Sequence, residues 1–167
     1  PSIPAPEKVN QTIHHVLDTE SSIKVHGYTS GPGDDAIREA VARNLTERFG
    51  KRIRPANLFF TCGAAPALVS ALKALACEGS EVIAIAPYFP EYKPFTESVG
   101  SKFVAVSVDM STFQIDLDAL AAAINEHTQA IIINSPNNPT GVVFSAETLT
   151  KVAGILENAS AKYGHPI

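Results

Sequence analysis

The sequence has few cysteines, little net charge and no long apolar run. Its 167 residues include two cysteines, Cys62 and Cys77, and its formal net charge is −4. Two isolated cysteines are typical of a reducing compartment, so we expect a cytoplasmic protein. A slightly acidic chain with scattered basic residues argues against nucleic acid or an anionic membrane as partner. No apolar stretch approaches the roughly 18 residues of a membrane span, and no segment has the pattern of a secretory signal.

The chain does contain enough apolar sequence for a core. It is 45% hydrophobic and 18% charged, which is typical of a globular domain. It begins at Pro1 rather than at a methionine, and it stops at 163–167, where a further apolar segment begins. We therefore expect a piece of a longer polypeptide.

Apolar spacing divides the chain into helices and short strands. Helices are predicted over 7–19, 35–49 after a cap at Asp34, 63–79, 88–100, 117–125 after a cap at Asp116, and from a cap at Ser145 to about Gly164. Strands are predicted over 58–62, 81–87, 102–108 and 130–134, and an ordered loop over 21–35. The second helix is expected to bury Ile37, Val41 and Leu45.

The strands are apolar on both faces and alternate with helices. This pattern is typical of a mainly parallel sheet that is covered by helices on both sides. We predict an α/β fold with three layers, αβα.

Three unusual corners follow predicted strands, on the edge of the sheet where open α/β proteins bind ligands. Residues 63–66 (GAAP) open a helix with small side chains, which suits either an anion such as phosphate or tight helix packing. Residues 88–92 offer aromatic rings that could stack on a flat ligand or join the core. Residues 135–141 (SPNNPTG) hold a side-chain amide rigidly before a proline, or form a simple turn.

Together these residues resemble the class I/II aminotransferases, which are fold type I enzymes dependent on pyridoxal 5'-phosphate. The resemblance runs from about Pro4 to the C-terminus. Its segments are 27–42, 61–68, 86–92, 113–120 and 135–141, and the last is the most specific. The resemblance implies pyridoxal 5'-phosphate as cofactor, an amino acid and a 2-oxo acid as substrates, and a homodimer.

The resemblance also implies six cofactor-binding residues, which are Tyr28, Gly63, Ala64, Ala65, Phe89 and Asn138. Segment 63–65 matches the one whose backbone amides hold the cofactor phosphate. Phe89 matches the aromatic that stacks on the pyridine ring, and Asn138 matches the amide that hydrogen-bonds the ring's phenolic oxygen. Tyr28 matches a tyrosine that reaches the phosphate of the neighbouring subunit. Asn137 is expected to serve the turn instead.

Other residues of the family's site have no match in this chain. These are the Schiff-base lysine, the acidic residue that keeps the pyridine nitrogen protonated, and the substrate-carboxylate arginine. Arg38 is expected on a helix surface. We therefore expect no catalytic residue here. Residues 1–25 would lead into the domain, and residues 26–167 would form part of the large domain.

The family's sheet is not laid down in chain order. This implies that strand 81–87 is central between 102–108 and 130–134, and that 58–62 is separated from them. Close alternatives are a carbon–sulfur lyase or another fold type I reaction. A non-catalytic alternative is an inactive fragment or the ligand-binding domain of a regulator. Cys62 is expected to be a small core residue, and the scattered histidines predict no metal site.

Overall fold

The computed structural model describes residues 3–167, which fall into two compact units. The first unit ends at Thr61, and the second spans Cys62–Ile167. None of the helices within the described residues is both long enough and apolar enough to cross a bilayer.

The N-terminal unit is helical. Its helices are α1 (Glu7–Thr19), α2 (Ser22–His26) and α3 (Asp35–Phe49), followed by a short 3₁₀ helix, Pro55–Asn57. The Asp34 side chain caps α3 by accepting the Ile37 N–H at 3.1 Å. The predictions over 7–19 and 35–49 are therefore confirmed, whereas α2 forms inside the predicted loop 21–35 because the Ser21 hydroxyl caps it.

The prediction for the buried face of α3 was wrong for Ile37, whereas Val41 and Leu45 are half-buried. Ala42 is buried, while Ile37 is 54% exposed. The covered face carries Arg38, Ala42 and Thr46, which lie one turn apart. The chain that returns after the helix packs on this face, because Thr46 Oγ1 accepts the Ile53 N–H at 2.9 Å.

Arg38 was expected on the helix surface, and this was also wrong. Its side chain is only 12% exposed. The guanidinium donates to the carbonyl of Pro55 at 2.8 Å and to that of Leu58 at 3.2 Å. These bonds hold the segment that leads toward residue 61, because they tie α3 to two of its backbone carbonyls.

Residues 58–62 form no strand, contrary to prediction. A strand exists only where a neighbour completes its hydrogen-bond ladder. Here the Phe60 N–H donates instead to the Pro32 carbonyl at 3.0 Å. Within the described residues the sheet therefore has three strands, and 58–62 pairs with none of them.

The C-terminal unit alternates helices and strands. Its elements are α4 (Ala64–Leu75), β1 (Glu81–Ala86), α5 (Tyr92–Ser98), β2 (Lys102–Ser107), α6 (Leu117–Ala123), β3 (Thr128–Ile132) and α7 (Ala146–Tyr163). All strand pairs are parallel, and the order is β2-β1-β3. The prediction that 81–87 is central is thus confirmed.

Helices cover both faces of this sheet, as predicted for an αβα fold. Ile83 and Ile85 of β1 pack with Leu120 and Ile124 near α6 and with Val152 of α7. Because side chains alternate along a strand, Val82 and Ala84 point to the opposite face. The helices α4 and α5 cover that face, and they contact β3 and β2 respectively.

A buried carboxylate joins the starts of the strands. Glu81, the first residue of β1, accepts a hydrogen bond from Lys102 Nζ at 2.6 Å and one from Asn125 Nδ2 at 2.9 Å. Lys102 begins β2, and Asn125 precedes β3. The Lys102 ammonium and then the Asn125 amide lower the pKa of Glu81 from 4.5 by stabilising its charged form.

We expect Glu81→Gln to lower the free energy of unfolding and to weaken the dependence of that free energy on pH in the acidic range. Since the folded-state pKa is lowered, the stabilisation is complete above about pH 4.5 and is lost as the pH falls through the folded-state value. At neutral pH the substitution should lower the free energy of unfolding by about 1 kcal/mol, because a charge-assisted bond is lost while the Lys102 ammonium stays solvated. Urea unfolding of the complete polypeptide at several pH values measures this.

Glu147→Gln is the matched control for this prediction. Glu147 pairs with Lys151 at 2.7 Å on the exposed face of α7, and its pKa is also lowered by that bond. We expect a smaller change there because solvent screens the pair. Equal effects of the two substitutions would contradict the role assigned to Glu81.

Candidate functional site

A cleft of about 420 Å³ lies in the C-terminal unit, beyond the carboxyl ends of β1 and β3. Its lining residues are Ala64, Ala65, Leu68, Phe89, Tyr92, Phe95, Ile132, Ile133, Asn134 and Asn138. Each of the three corners singled out from the sequence contributes to this lining. The structure therefore brings together four of the six predicted site residues, which are Ala64, Ala65, Phe89 and Asn138.

The first side of the cleft is the start of α4. Gly63 precedes the helix with φ of 117°, a conformation that favours glycine. Ala64 and Ala65 follow and line the cleft, whereas Gly63 is not among the lining residues. The N–H groups of a first helical turn lack partners within the helix and carry its positive dipole. Two methyl side chains leave room for an anion to approach them.

The second side is aromatic. Phe89 and Tyr92 both line the cleft, and their rings meet edge to face with centroids 5.8 Å apart. Burial raises the pKa of the Tyr92 phenol, so the ring stays neutral. Tyr88 points elsewhere and packs against Phe103 at 4.9 Å. Of the three aromatic side chains at this corner, two are thus available to a ligand.

The third side is the corner 134–141, which follows β3. The Asn137 side chain is buried, and its Oδ1 accepts hydrogen bonds from Thr140 N at 3.2 Å and from Thr140 Oγ1 at 2.9 Å. The Asn137 carbonyl also accepts the Gly141 N–H at 2.7 Å. Asn137 therefore serves the turn, as predicted.

Asn138 is oriented differently from its neighbour. It is exposed and lines the cleft. Its backbone N–H donates to Asn134 Oδ1 at 2.8 Å, and its peptide bond to Pro139 is cis. The side-chain amide can therefore donate or accept within the cleft, while the backbone around it is held by the turn.

The chemistry of the lining suits a flat, partly polar ring that carries an anionic group. None of the ten lining residues is charged, and seven are aliphatic or aromatic hydrocarbons. The hydrogen-bonding side chains are two amides and one phenol. Such a lining can stack and orient an aromatic ring, and the start of α4 can hold an anion.

Tyr28 and Cys62, like Gly63, are not among the residues that line this cleft. Tyr28 is fully exposed in the N-terminal unit and lines a separate hollow of about 370 Å³ in that unit. Its expected contact with a neighbouring subunit stays a prediction. Cys62 is exposed rather than part of the core, so that prediction was wrong. The physical reason is that the strand expected to end at Cys62 does not form.

Sequence reasoning missed several lining residues, which are Leu68, Phe95, Ile132, Ile133 and Asn134. For Leu68 a signal existed, since it lies one helical turn after Ala64. Asn134 also gave a signal, because an amide side chain directly after an apolar strand is free to accept a backbone N–H. Phe95 and the two isoleucines look like ordinary core residues in the sequence.

Known proteins are similar to this chain in both sequence and fold. The sequence profile of the family described as aminotransferase class I and II matches residues 4–161. The chain is 39% identical to the probable N-succinyldiaminopimelate aminotransferase of Mycobacterium tuberculosis, over 78% of this chain and 34% of that protein. It is 32% identical to human kynurenine–oxoglutarate transaminase 1, over 94% of this chain and 40% of that protein. Among solved structures, an amino transferase from Eubacterium rectale superposes with a TM-score of 0.97 at 47% identity, over 100% of this chain and 42% of that one.

A parallel sheet covered by helices, with a cleft beyond the carboxyl ends of its strands, defines an α/β domain. The profile match over most of the chain makes the assignment more specific: the chain belongs to the aminotransferase class I and II family. It spans 34% and 40% of the length of the two curated relatives named above.

Proposed function

We propose that the complete polypeptide is a pyridoxal-phosphate-dependent aminotransferase, which moves an amino group from an amino acid to a 2-oxo acid. The observation that carries this proposal is the cleft, in which residues from all three corners meet in a chain of this family. The relatives' names, which include an aspartate aminotransferase and a kynurenine–oxoglutarate transaminase, support the same reaction class.

The lining fits pyridoxal phosphate part by part. We propose that the backbone amides of 63–65 hold the phosphate, that Phe89 stacks on the pyridine ring, and that Asn138 donates its side-chain amide to the phenolic oxygen. When bound, this cofactor supplies a reactive carbonyl and an electron-withdrawing ring. The role of this chain's residues is to bind and orient that ring and to keep water away from one of its faces.

The remaining features of the proposal concern the whole protein. We propose that residues 26–167 are the first part of the large domain and that residues 1–25 lead into it. The protein would be a cytoplasmic homodimer in amino acid metabolism, with Tyr28 reaching the cofactor phosphate of the other subunit. The exposure of Tyr28 supports this last role, since a fully solvated tyrosine ring is available to a partner.

Absorption spectroscopy of the complete polypeptide tests the proposal. With pyridoxal phosphate bound, the protein is treated in turn with each amino acid. Conversion of the cofactor to its pyridoxamine form, with release of a 2-oxo acid, is the expected result and names the amino donor. Release of ammonia or a thiol would instead support a lyase. A protein without any cofactor absorption band would contradict the proposal.

A further inference from the structure

Asn134 makes a contact that links the sheet to the proposed cofactor amide. It lies two residues beyond the end of β3, which hydrogen-bonds to β1 through the parallel ladder. Its Oδ1 accepts the backbone N–H of Asn138 at 2.8 Å. Both residues line the same cleft. A side chain anchored to the sheet therefore fixes the backbone from which the Asn138 side chain projects.

The rest of the corner is held without help from Asn134. Asn137 bonds to Thr140, Gly141 and Val142, so the turn itself is closed by its own residues. The Phe144 N–H bonds to the Ser135 hydroxyl at 3.0 Å. The bond from Asn134 is the one that connects this closed turn to the N–H of Asn138. Its loss should therefore change the orientation of the Asn138 side chain more than it changes the conformation of the turn.

We infer that Asn134 is a positioning residue, which directs the Asn138 side-chain amide at the ligand in the cleft. This inference rests on the proposed function, because it takes the ligand to be pyridoxal phosphate. Asn134 acts through Asn138. Its removal therefore weakens cofactor binding only while the Asn138 amide is present.

A double-mutant cycle on the complete polypeptide tests this inference. The four proteins are wild type, Asn134→Ala, Asn138→Ala and the double variant, and the dissociation constant for pyridoxal phosphate is measured for each. Asn138→Ala removes the side-chain amide but keeps the backbone N–H that Asn134 binds. We expect Asn134→Ala to weaken binding about tenfold in the wild-type background and less than about twofold in the Asn138→Ala background. The reason is that the effects of two substitutions on the binding free energy do not add when one residue acts through the other.

The absorption spectrum of the bound cofactor is a second readout. An amide bonded to the phenolic oxygen stabilises its anionic form, so Asn134→Ala should shift the pH midpoint of the bound cofactor's absorption in the same direction as Asn138→Ala. A residue that serves only the fold would lower the melting temperature of the cofactor-free protein and leave this midpoint unchanged. Asn158→Ala is the matched control, since Asn158 is exposed on α7 and lies outside the cleft.

Several outcomes separate the inference from the proposed function. Equal losses from Asn134→Ala in the two backgrounds, or no loss in either, would overturn the inference alone. A wild-type protein that does not bind pyridoxal phosphate would overturn the proposed function and the inference with it. If Asn134→Ala does not fold, Asn134→Ser replaces it, because serine stays polar but is too short to keep the bond to the Asn138 N–H and adds no charge beside an anionic ligand. The same cycle with Asn138→Ala is then measured, and equal losses in the two backgrounds would again overturn the inference.

Discussion

Asn138→Ala in the complete polypeptide is expected to weaken the binding of pyridoxal phosphate by about tenfold to a hundredfold. The expected loss follows from the bond that the amide would make. A hydrogen bond to a charged oxygen contributes about 1.5–3 kcal/mol, and each 1.4 kcal/mol or so is a factor of ten in affinity. Asn138 lines the cleft, whereas the buried side chain of Asn137 is already bonded to Thr140. The loss should therefore be specific to Asn138.

Titration of the cofactor-free protein with pyridoxal phosphate measures this effect. The melting temperature of the cofactor-free variant should stay close to that of wild type, because the Asn138 side chain is exposed and supports no part of the turn. Asn158→Ala controls for the loss of an exposed amide elsewhere in the same unit. If Asn138→Ala bound the cofactor as tightly as wild type, the assignment of this amide to the cleft's ligand would be wrong.

Ile83→Ala is expected to lower the free energy of unfolding by about 2–5 kcal/mol, the range for removing a large buried aliphatic side chain. Ile83 is completely buried at the centre of β1 and is paired on both sides, with Val104 and Ile131. It also packs against the helices α6 and α7 through the main core cluster. The cavity left by truncation would lie between β1 and the helices α6 and α7, which cannot easily close it. The upper part of the range is therefore expected.

Ile83→Val provides a graded control at the same position. It removes one methylene and should cost about 0.5–1.5 kcal/mol. Denaturant unfolding of the complete polypeptide, followed by far-UV circular dichroism, gives both values. Equal effects of the two substitutions would mean that the central strand is not packed as described.

Much of the C-terminal unit could be predicted because its signals are local. Asp116 and Ser145 were recognised as caps from the sequence, and their side chains accept N–H groups of Ala119 and Thr148 at 2.9 and 3.0 Å. Strands that are apolar on both faces predicted the buried parallel sheet. The strand order came from the resemblance to a family rather than from spacing, since no local pattern distinguishes a central strand from an edge strand.

The features that could not be predicted depend on partners distant in sequence. Arg38 looks like an ordinary helix-surface cation in the sequence. In the structure its guanidinium donates hydrogen bonds to carbonyls 17 and 20 residues away, and the segment that carries them covers it. Residues 58–62 have strand composition but join no strand ladder, and the Phe60 N–H bonds to the distant Pro32 carbonyl instead. Lining residues such as Phe95 are apolar, and the sequence alone does not say whether an apolar side chain meets the core or a cleft.

The candidate site was predictable to the extent that its residues follow strand ends. Residues after parallel strands meet at one edge, which is why Phe89 and Asn138 could be expected near one another. Segment 63–65 follows residues that form no strand, so its place beside them came from the resemblance to a family. Asn134 also follows a strand end, but its particular contact could not be predicted from that position. Its role depends on one hydrogen bond to the backbone N–H of Asn138, and that bond exists only because the corner turns back on itself.

A crystal structure of the complete polypeptide with pyridoxal phosphate would test the central claim most directly. The account predicts the pyridine ring against Phe89, the phosphate at the start of α4, and the Asn138 amide within about 3.2 Å of the phenolic oxygen, the outer limit of an ordinary hydrogen bond. A cofactor bound at another place, or a phenolic oxygen that the Asn138 amide does not reach, would contradict it.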